Sequence, residues 1–306
     1  MHHLSRAQQW LGTMVEITAS HLDGVSLEAV IDAAFVEIAR LHNLMTVHLA
    51  DSELSNLNAK AYFVRIPVSI ELRTVLETAL ALAADSGGSF DPTVGELLKD
   101  YGFLPQLAQK QVLKDKSSTA ERINVRSANW QDVDLNQDGL YFKRPLSLDL
   151  GGIAKGYVVD CALAVLKQAG CSSGLVNAGG DLALFGDTEQ IIHVQDPRGG
   201  YLPLIKLSQG AFATSCYKNN RRKHLKKWQS PLIDPNTQTS RLSTDSVSVL
   251  APSCMIADAL TKLVSLKSVH VPAVLSKYNA TASVLSYSNR KLTHHHLPEM
   301  ARNFQD

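Results

Sequence analysis

The residues whose types and spacing best suit chemistry run from Leu146 to Asp160: Leu-Ser-Leu-Asp-Leu-Gly-Gly-Ile-Ala-Lys-Gly-Tyr-Val-Val-Asp. Alternating Leu146, Leu148 and Leu150 predict a strand that delivers Asp149 to a Gly151-Gly152 corner. Ile153 to Lys167 then carries apolar residues at three- and four-residue spacing, which predicts a helix. A strand, a glycine corner and a helix start leave backbone N–H groups unpaired and pointing outward, and such places bind anionic phosphates. Lys155 adds a positive charge one turn in. A lone Gly-Gly pair is more often an ordinary strand-to-helix connection, so other segments have to decide its meaning.

Several do. Asp91 precedes Pro92 just after the Gly87-Gly88 break, and Asp181 follows Gly179-Gly180 between two apolar runs. Met255 to Leu266 reads as a helix that presents Asp258, Thr261 and Lys262 on neighbouring positions. Repeated placement of Gly or Asp at a sharp turn beside a strand or helix end suits a polyphosphate site. Lys218 to Lys227 holds six basic residues in ten. Such a run is a solvated loop or hairpin, a phosphate clamp, or a docking face for an acidic partner. No aromatic stacking platform accompanies it, which argues against nucleic acid.

The elements that must position these residues are those of an ordinary globular chain. Of 306 residues, 45% are hydrophobic and 19% charged, with a net charge of +1 that gives no reason to expect nucleic acid or a membrane surface as partner. Cys161, Cys171, Cys216 and Cys254 lack the spacing of a zinc site or a disulfide scaffold. The N-terminus shows no apolar leader and no later segment reaches 18 uninterrupted apolar residues, so membrane insertion is not expected. The expected location is cytoplasmic, or exported if a leader has been removed.

Along the chain, Met14 to Thr18 predicts an edge or outer strand after the Gly12 turn, and Ser26 caps a helix to about Asn43. Asp51 to Ala59 reads as turns with one or two short helical turns, Tyr62 to Ile66 as a short strand, and Ser69 to Ala84 as a second helix ended by Ser86-Gly87-Gly88. A helix is expected over Gln106 to Lys116, with strands near Ile123 to Val125, Trp130 to Val133 and Leu140 to Lys143. Antiparallel β-segments follow the central helix, and His294-His295-His296 reads as a mobile tail.

Taken together, the chain resembles the ApbE family, the FAD-dependent protein FMN transferases. The resemblance is carried by Leu11-Gly-Thr13, Asp51 to Ala59, Phe90-Asp-Pro-Thr-Val-Gly95, Leu148 to Tyr157, Leu175-Val-Asn-Ala-Gly-Gly-Asp181, Ala213-Thr-Ser215, Leu232-Ile-Asp-Pro235 and Ala257-Asp-Ala-Leu260, in the family's order and spacing. It implies an α+β fold with internal duplication, mixed and antiparallel sheets packed with helices. The implied domain spans 1–266 as two packed halves with a boundary near 140–150, followed by a partly flexible extension over 267–306.

The resemblance also implies an activity. A member binds FAD as substrate with Mg²⁺, transfers FMN through a phosphoester to a threonine of an acceptor protein, and releases AMP. Carried over, Leu11, Ser89, Phe90, Asp91, Leu232 and Ile233 lie near the flavin and adenosine. Asp149 and Lys155 serve the diphosphate and the chemistry, and Gly152, Asp258 and Thr261 hold the metal. FAD pyrophosphatase activity, or flavin binding with weak or lost transfer, are the alternatives; the oligomeric state stays open.

Three positions depart from the family pattern: Pro231 stands where a His is usual, Cys216 where a Gly is usual, and Lys262 where a metal-ligating Thr is usual. For the last, two consequences compete. Thr261 reaches the ion from the neighbouring position, or the Lys262 ammonium, which has no lone pair to give, takes part of the metal's role as a point charge.

Overall fold

The computed structural model describes residues 2–21, 26–105, 128–218, 220–288 and 291–297. In chain order, β1 (His2–Trp10) and β2 (Thr13–His21) form a hairpin followed by α1 (Leu27–Met45). Three helices come next, α2 (Glu53–Lys60), α3 (Ile70–Asp85) and α4 (Gly95–Asp100), then a short hairpin of β3 (Val133–Asn136) and β4 (Gly139–Phe142). The central helix α5 (Ala154–Gln168) leads to β5 (Ser173–Ala178), β6 (Asp181–Phe185), β7 (Gln190–Gln195), β8 (Tyr201–Leu207) and β9 (Gly210–Cys216). Short pairs β10 (Arg222–His224) with β11 (Lys227–Gln229) and β12 (Ile233–Asp234) with β13 (Thr239–Ser240) precede β14 (Ser246–Ala251). The described chain closes with α6 (Cys254–Ser265), α7 (Val271–Lys277), β15 (Thr281–Ser288) and β16 (Lys291–Leu297). No helix among the described residues is long and apolar enough to cross a membrane.

The chain falls into two compact units: unit 1 takes residues 1–42, 153–219 and 243–306, and unit 2 takes 43–152 and 220–242. Unit 1 is built on an eight-stranded sheet in the order β1-β2-β5-β6-β9-β14-β15-β16, every neighbouring pair antiparallel. Alternation explains β2, whose Val15, Ile17 and Ala19 are buried, and the 3.6-residue period explains α1, which buries Val30, Ile31, Ala34, Phe35, Ile38 and Leu41. Helix α5 lies against β5 and β6, while α6 lies against β9 and β14 and also packs on α5.

Unit 2 combines α2, α3 and α4 with the three short hairpins. Ser52 and Ser69 cap α2 and α3, accepting N–H bonds from Ser55 at 3.0 Å and Leu72 at 3.4 Å. The basic run forms the β10–β11 hairpin, with Leu225 and Lys226 at its turn, both at positive φ.

Several expectations are corrected. Residues 2–10 form the edge strand β1, so β2 lies one place inward. Asp51 to Ala59, by contrast, holds the short helical stretch expected: the Ser52 cap lets Glu53–Lys60 run for about two turns. Trp130–Asp132 is a 3-10 turn, closed by a capping box between Asn129 and Asp132. Tyr62 to Ile66 forms no strand; only Ile66 bridges, to Leu140. The His294–His296 run, expected in a mobile tail, lies in β16 and pairs with Leu285, Val284 and Ser283 of β15. The expected helix over Gln106 to Lys116 and the strand near Ile123 to Val125 lie outside the described residues.

Candidate active site

Leu146 to Leu150 is extended but belongs to no sheet; Ser147 makes a single parallel bridge to Val94. Asn58 takes the place of a neighbouring strand. Its side-chain amide donates to the Leu148 carbonyl at 2.9 Å and its carbonyl accepts the Leu148 N–H at 2.7 Å. The Asp149 N–H reaches the Pro92 carbonyl at 2.8 Å, and the Gly95 N–H reaches the Ser147 carbonyl at 3.1 Å. The Asp149 backbone is thus fixed within unit 2, and its carboxylate accepts the Gly151 N–H at 3.3 Å across the corner.

Of the remaining unit 2 candidates, all but Gly152 are buried. Asp91 accepts the Thr93 N–H at 2.8 Å, the Thr93 hydroxyl at 2.7 Å and the Trp130 N–H at 3.1 Å. Burial still outweighs these bonds and pushes its carboxyl up from the usual range. Ser89, Phe90, Leu232 and Ile233 are buried, Ile233 in a cluster with Leu97 and Leu98.

In unit 1, Leu11 and Gly12 form a two-residue turn between paired Trp10 and Thr13, at φ 56° and 73°. This is the geometry of a type I′ hairpin turn, in which a leucine is unusual and costs about 1 kcal/mol.

Charge is concentrated where α5 meets α6. Lys155, in the first turn of α5, pairs with Asp181 at the start of β6, a carboxylate only 1% exposed. Asp258 of α6 is fully buried; its Oδ1 pairs with the Lys262 ammonium one turn on, and its Oδ2 accepts the Gly156 N–H at 3.2 Å. No side chain of α5's own caps its N-terminus, so Asp258 does this from the neighbouring helix. Asp160 of α5 returns the cap, accepting the Cys254 and Met255 N–H groups of α6 at 2.8 and 2.9 Å. Gly156 is required for the crossing, since a Cβ there would overlap the Cys254 carbonyl.

The electrostatics follow this packing. Burial pushes the Asp258 carboxyl up, but the Lys262 and Lys155 ammonium groups outweigh it and hold it below the usual range. Burial likewise pushes Lys262 down and the Asp258 carboxylate more than restores it, so the pair stays charged. For Lys155 burial prevails and the ammonium is held below its usual value. Asp160 is pushed up to about 6 by burial, despite the two N–H groups it accepts.

Of the residues assigned to Mg²⁺, Gly152 belongs to unit 2, and Asp258 and Thr261 to unit 1. The unit 1 donors do not fit a resident dication. Thr261 is fully buried, donates to the Asp258 carbonyl at 2.7 Å and shares a 2.8 Å hydrogen bond with Ser215. Asp258 is neutralised by Lys262. Among the described residues no group of three or more His, Cys, Asp or Glu is placed to hold a metal ion.

Sequence reasoning left Asp181, Asp160 and Ser215 out of the site. Asp181 had a visible signal, the Gly179-Gly180 turn that precedes it with φ 64° and 102°. Asp160 had none, because its role appears only when α6 packs on α5.

The family model of the ApbE family matches residues 11–285. The FAD:protein FMN transferase of Treponema pallidum is 29% identical over 288 residues, covering 84% of this chain and 76% of its own. That of Vibrio cholerae is 30% identical over 249 residues, covering 78% and 72%. The crystal structure of the ApbE protein from Thermotoga maritima is similar with a TM-score of 0.79 at 25% identity, over 92% of this chain and 94% of that one. The flavin transferase ApbE from Vibrio cholerae shares the fold, with a TM-score of 0.76 over 97% and 98% of the two chains. With its helix-flanked antiparallel sheet and a match that runs from the Leu11 turn into β15, the chain belongs to the ApbE family.

Proposed function

We propose that this protein is a flavin transferase that takes FAD as substrate, attaches FMN to a threonine of an acceptor protein and releases AMP. The observation that carries this reading is the family match from 11 to 285, joined to relatives named FAD:protein FMN transferase that align over about three quarters of both chains.

In the proposed step the threonine oxygen attacks the phosphorus bearing riboflavin. A new P–O bond forms, the bond from that phosphorus to the bridging oxygen breaks, and AMP leaves with the bridging oxygen. The threonine proton passes to Asp149, whose backbone is fixed by the Pro92 carbonyl and, through Leu148, by Asn58. Lys155 supplies positive charge where the phosphate oxygens gain negative charge, held in place by Asp181. The Leu11 turn and the segments Ser89-Phe90-Asp91 and Leu232-Ile233 are assigned to the flavin and adenosine.

Incubation with FAD, Mg²⁺ and a threonine-bearing acceptor from a flavinylated protein tests the reading. A flavin-fluorescent acceptor band and equimolar AMP are expected. Free FMN and AMP with an unmodified acceptor, while a known transferase labels it in parallel, would show a pyrophosphatase instead.

A further inference from the structure

The position that departs most from the family pattern is also the one that completes the charge balance of unit 1. Lys262 lies four residues after Asp258 on α6; its ammonium donates to Asp258 Oδ1 and, at 3.1 Å, to the Asp258 carbonyl. With Lys155 and Asp181 the cluster holds two cations and two carboxylates, so it is electrically complete without a metal. A dication beside the ammonium meets direct like-charge repulsion. The carboxylate that would draw the ion in is the one Lys262 already neutralises. Lys262 itself stays 20% exposed, while Asp258 and Thr261 are sealed. Beside it lies the buried Tyr217 hydroxyl, with Ser215 near.

We infer that the Lys262 ammonium replaces the divalent cation, so that this protein binds the FAD diphosphate and transfers FMN without a divalent metal. The inference rests on the transferase reading and concerns only the source of positive charge. A lysine ammonium is a compact point charge that binds phosphate well, but unlike a metal it cannot polarise by coordination. With Asp258 balancing its charge, its contribution is a fixed ammonium N–H donor aimed at the diphosphate oxygens.

The test measures FAD affinity by flavin-fluorescence titration in EDTA and in Mg²⁺, with Mn²⁺ binding to the FAD-free protein followed by electron paramagnetic resonance. Wild type is expected to bind FAD within about two-fold in the two buffers and to bind no Mn²⁺. Lys262→Thr, which frees Asp258 Oδ1 and supplies a hydroxyl, is expected to bind one Mn²⁺ and to lose at least ten-fold in FAD affinity on chelation. If the variant unfolds in EDTA and recovers its melting temperature with Mn²⁺, that also supports exchange of ammonium for metal. A ten-fold loss of FAD affinity by wild type on chelation, or stoichiometric Mn²⁺ binding to wild type, overturns the inference alone. Failure to bind FAD in either buffer overturns the transferase reading and the inference with it.

Discussion

Lys155 and Asp258 in unit 1 sit in buried ion pairs, whereas Asp91 and Asp149 in unit 2 are held by backbone N–H and hydroxyl groups. The same residue types are thus fixed by opposite means. A buried pair broken from one side strands a charge and costs about 3–5 kcal/mol. A lost neutral hydrogen bond costs about 1–3 kcal/mol, because what remains is only an unsatisfied dipole. Unit 1 is therefore the region where changes of charge cost most, and unit 2 the region whose geometry depends on amides.

The largest expected effect follows from breaking a pair. Lys155→Met leaves Asp181 charged and sealed, so chemical denaturation should show a loss of about 3–5 kcal/mol. Adding Asp181→Leu should recover most of it, since removal of both charges leaves nothing stranded. Recovery of FMN transfer in the double variant would show that Lys155 serves only the fold.

Asp160 tests the comparison from between the two cases: a unit 1 carboxylate held, as in unit 2, by N–H groups. Its pKa stands at about 6 in the folded protein against a reference value of 3.8. Between those values the folded state keeps a proton that the unfolded state has lost. Its contribution to stability is full below about pH 4, falls as pH rises to about 6, and is flat above. Wild-type stability minus that of Asp160→Asn should decline over that window by up to about 3 kcal/mol. A flat difference would place the carboxylate in a setting as polar as bulk solvent.

Smaller is the expected effect in unit 2. Asn58→Leu removes both bonds to Leu148 and should cost about 2 kcal/mol by denaturation. A cost matching that of Lys155→Met would erase the contrast between the units. Smallest is Leu11→Asn, which relieves the positive-φ leucine and should stabilise by about 0.5 kcal/mol. FAD affinity should fall at the same time, because the leucine side chain is what the flavin is proposed to meet.

The parts of the molecule legible in the sequence are those set by local rules. The Gly151-Gly152 corner, helix α5 and the shared face of Asp258, Thr261 and Lys262 all follow from nearby residues. What was missed depends on distant partners. Leu146 to Leu150 has the alternation of a strand but pairs with a side chain, Asn58, 90 residues away in sequence. Strands β1 and β16 carry too few apolar residues to reveal themselves, since an edge strand is held chiefly by its neighbour's backbone. Asp181 stood in a recognisable segment, yet only the packed sheet brings it to Lys155, 26 residues earlier.

The mutual capping of α5 and α6 ties two helix starts into one mechanical part. Neither helix can advance by a residue without baring the N–H groups at both ends, so opening here is all-or-none. The amides of Gly156, Cys254 and Met255 should accordingly exchange with deuterium at a common rate, set by a single opening reaction. A ligand that steadies the first turn of α5 would slow that exchange at all three positions at once, and so report its arrival on a helix it need not touch.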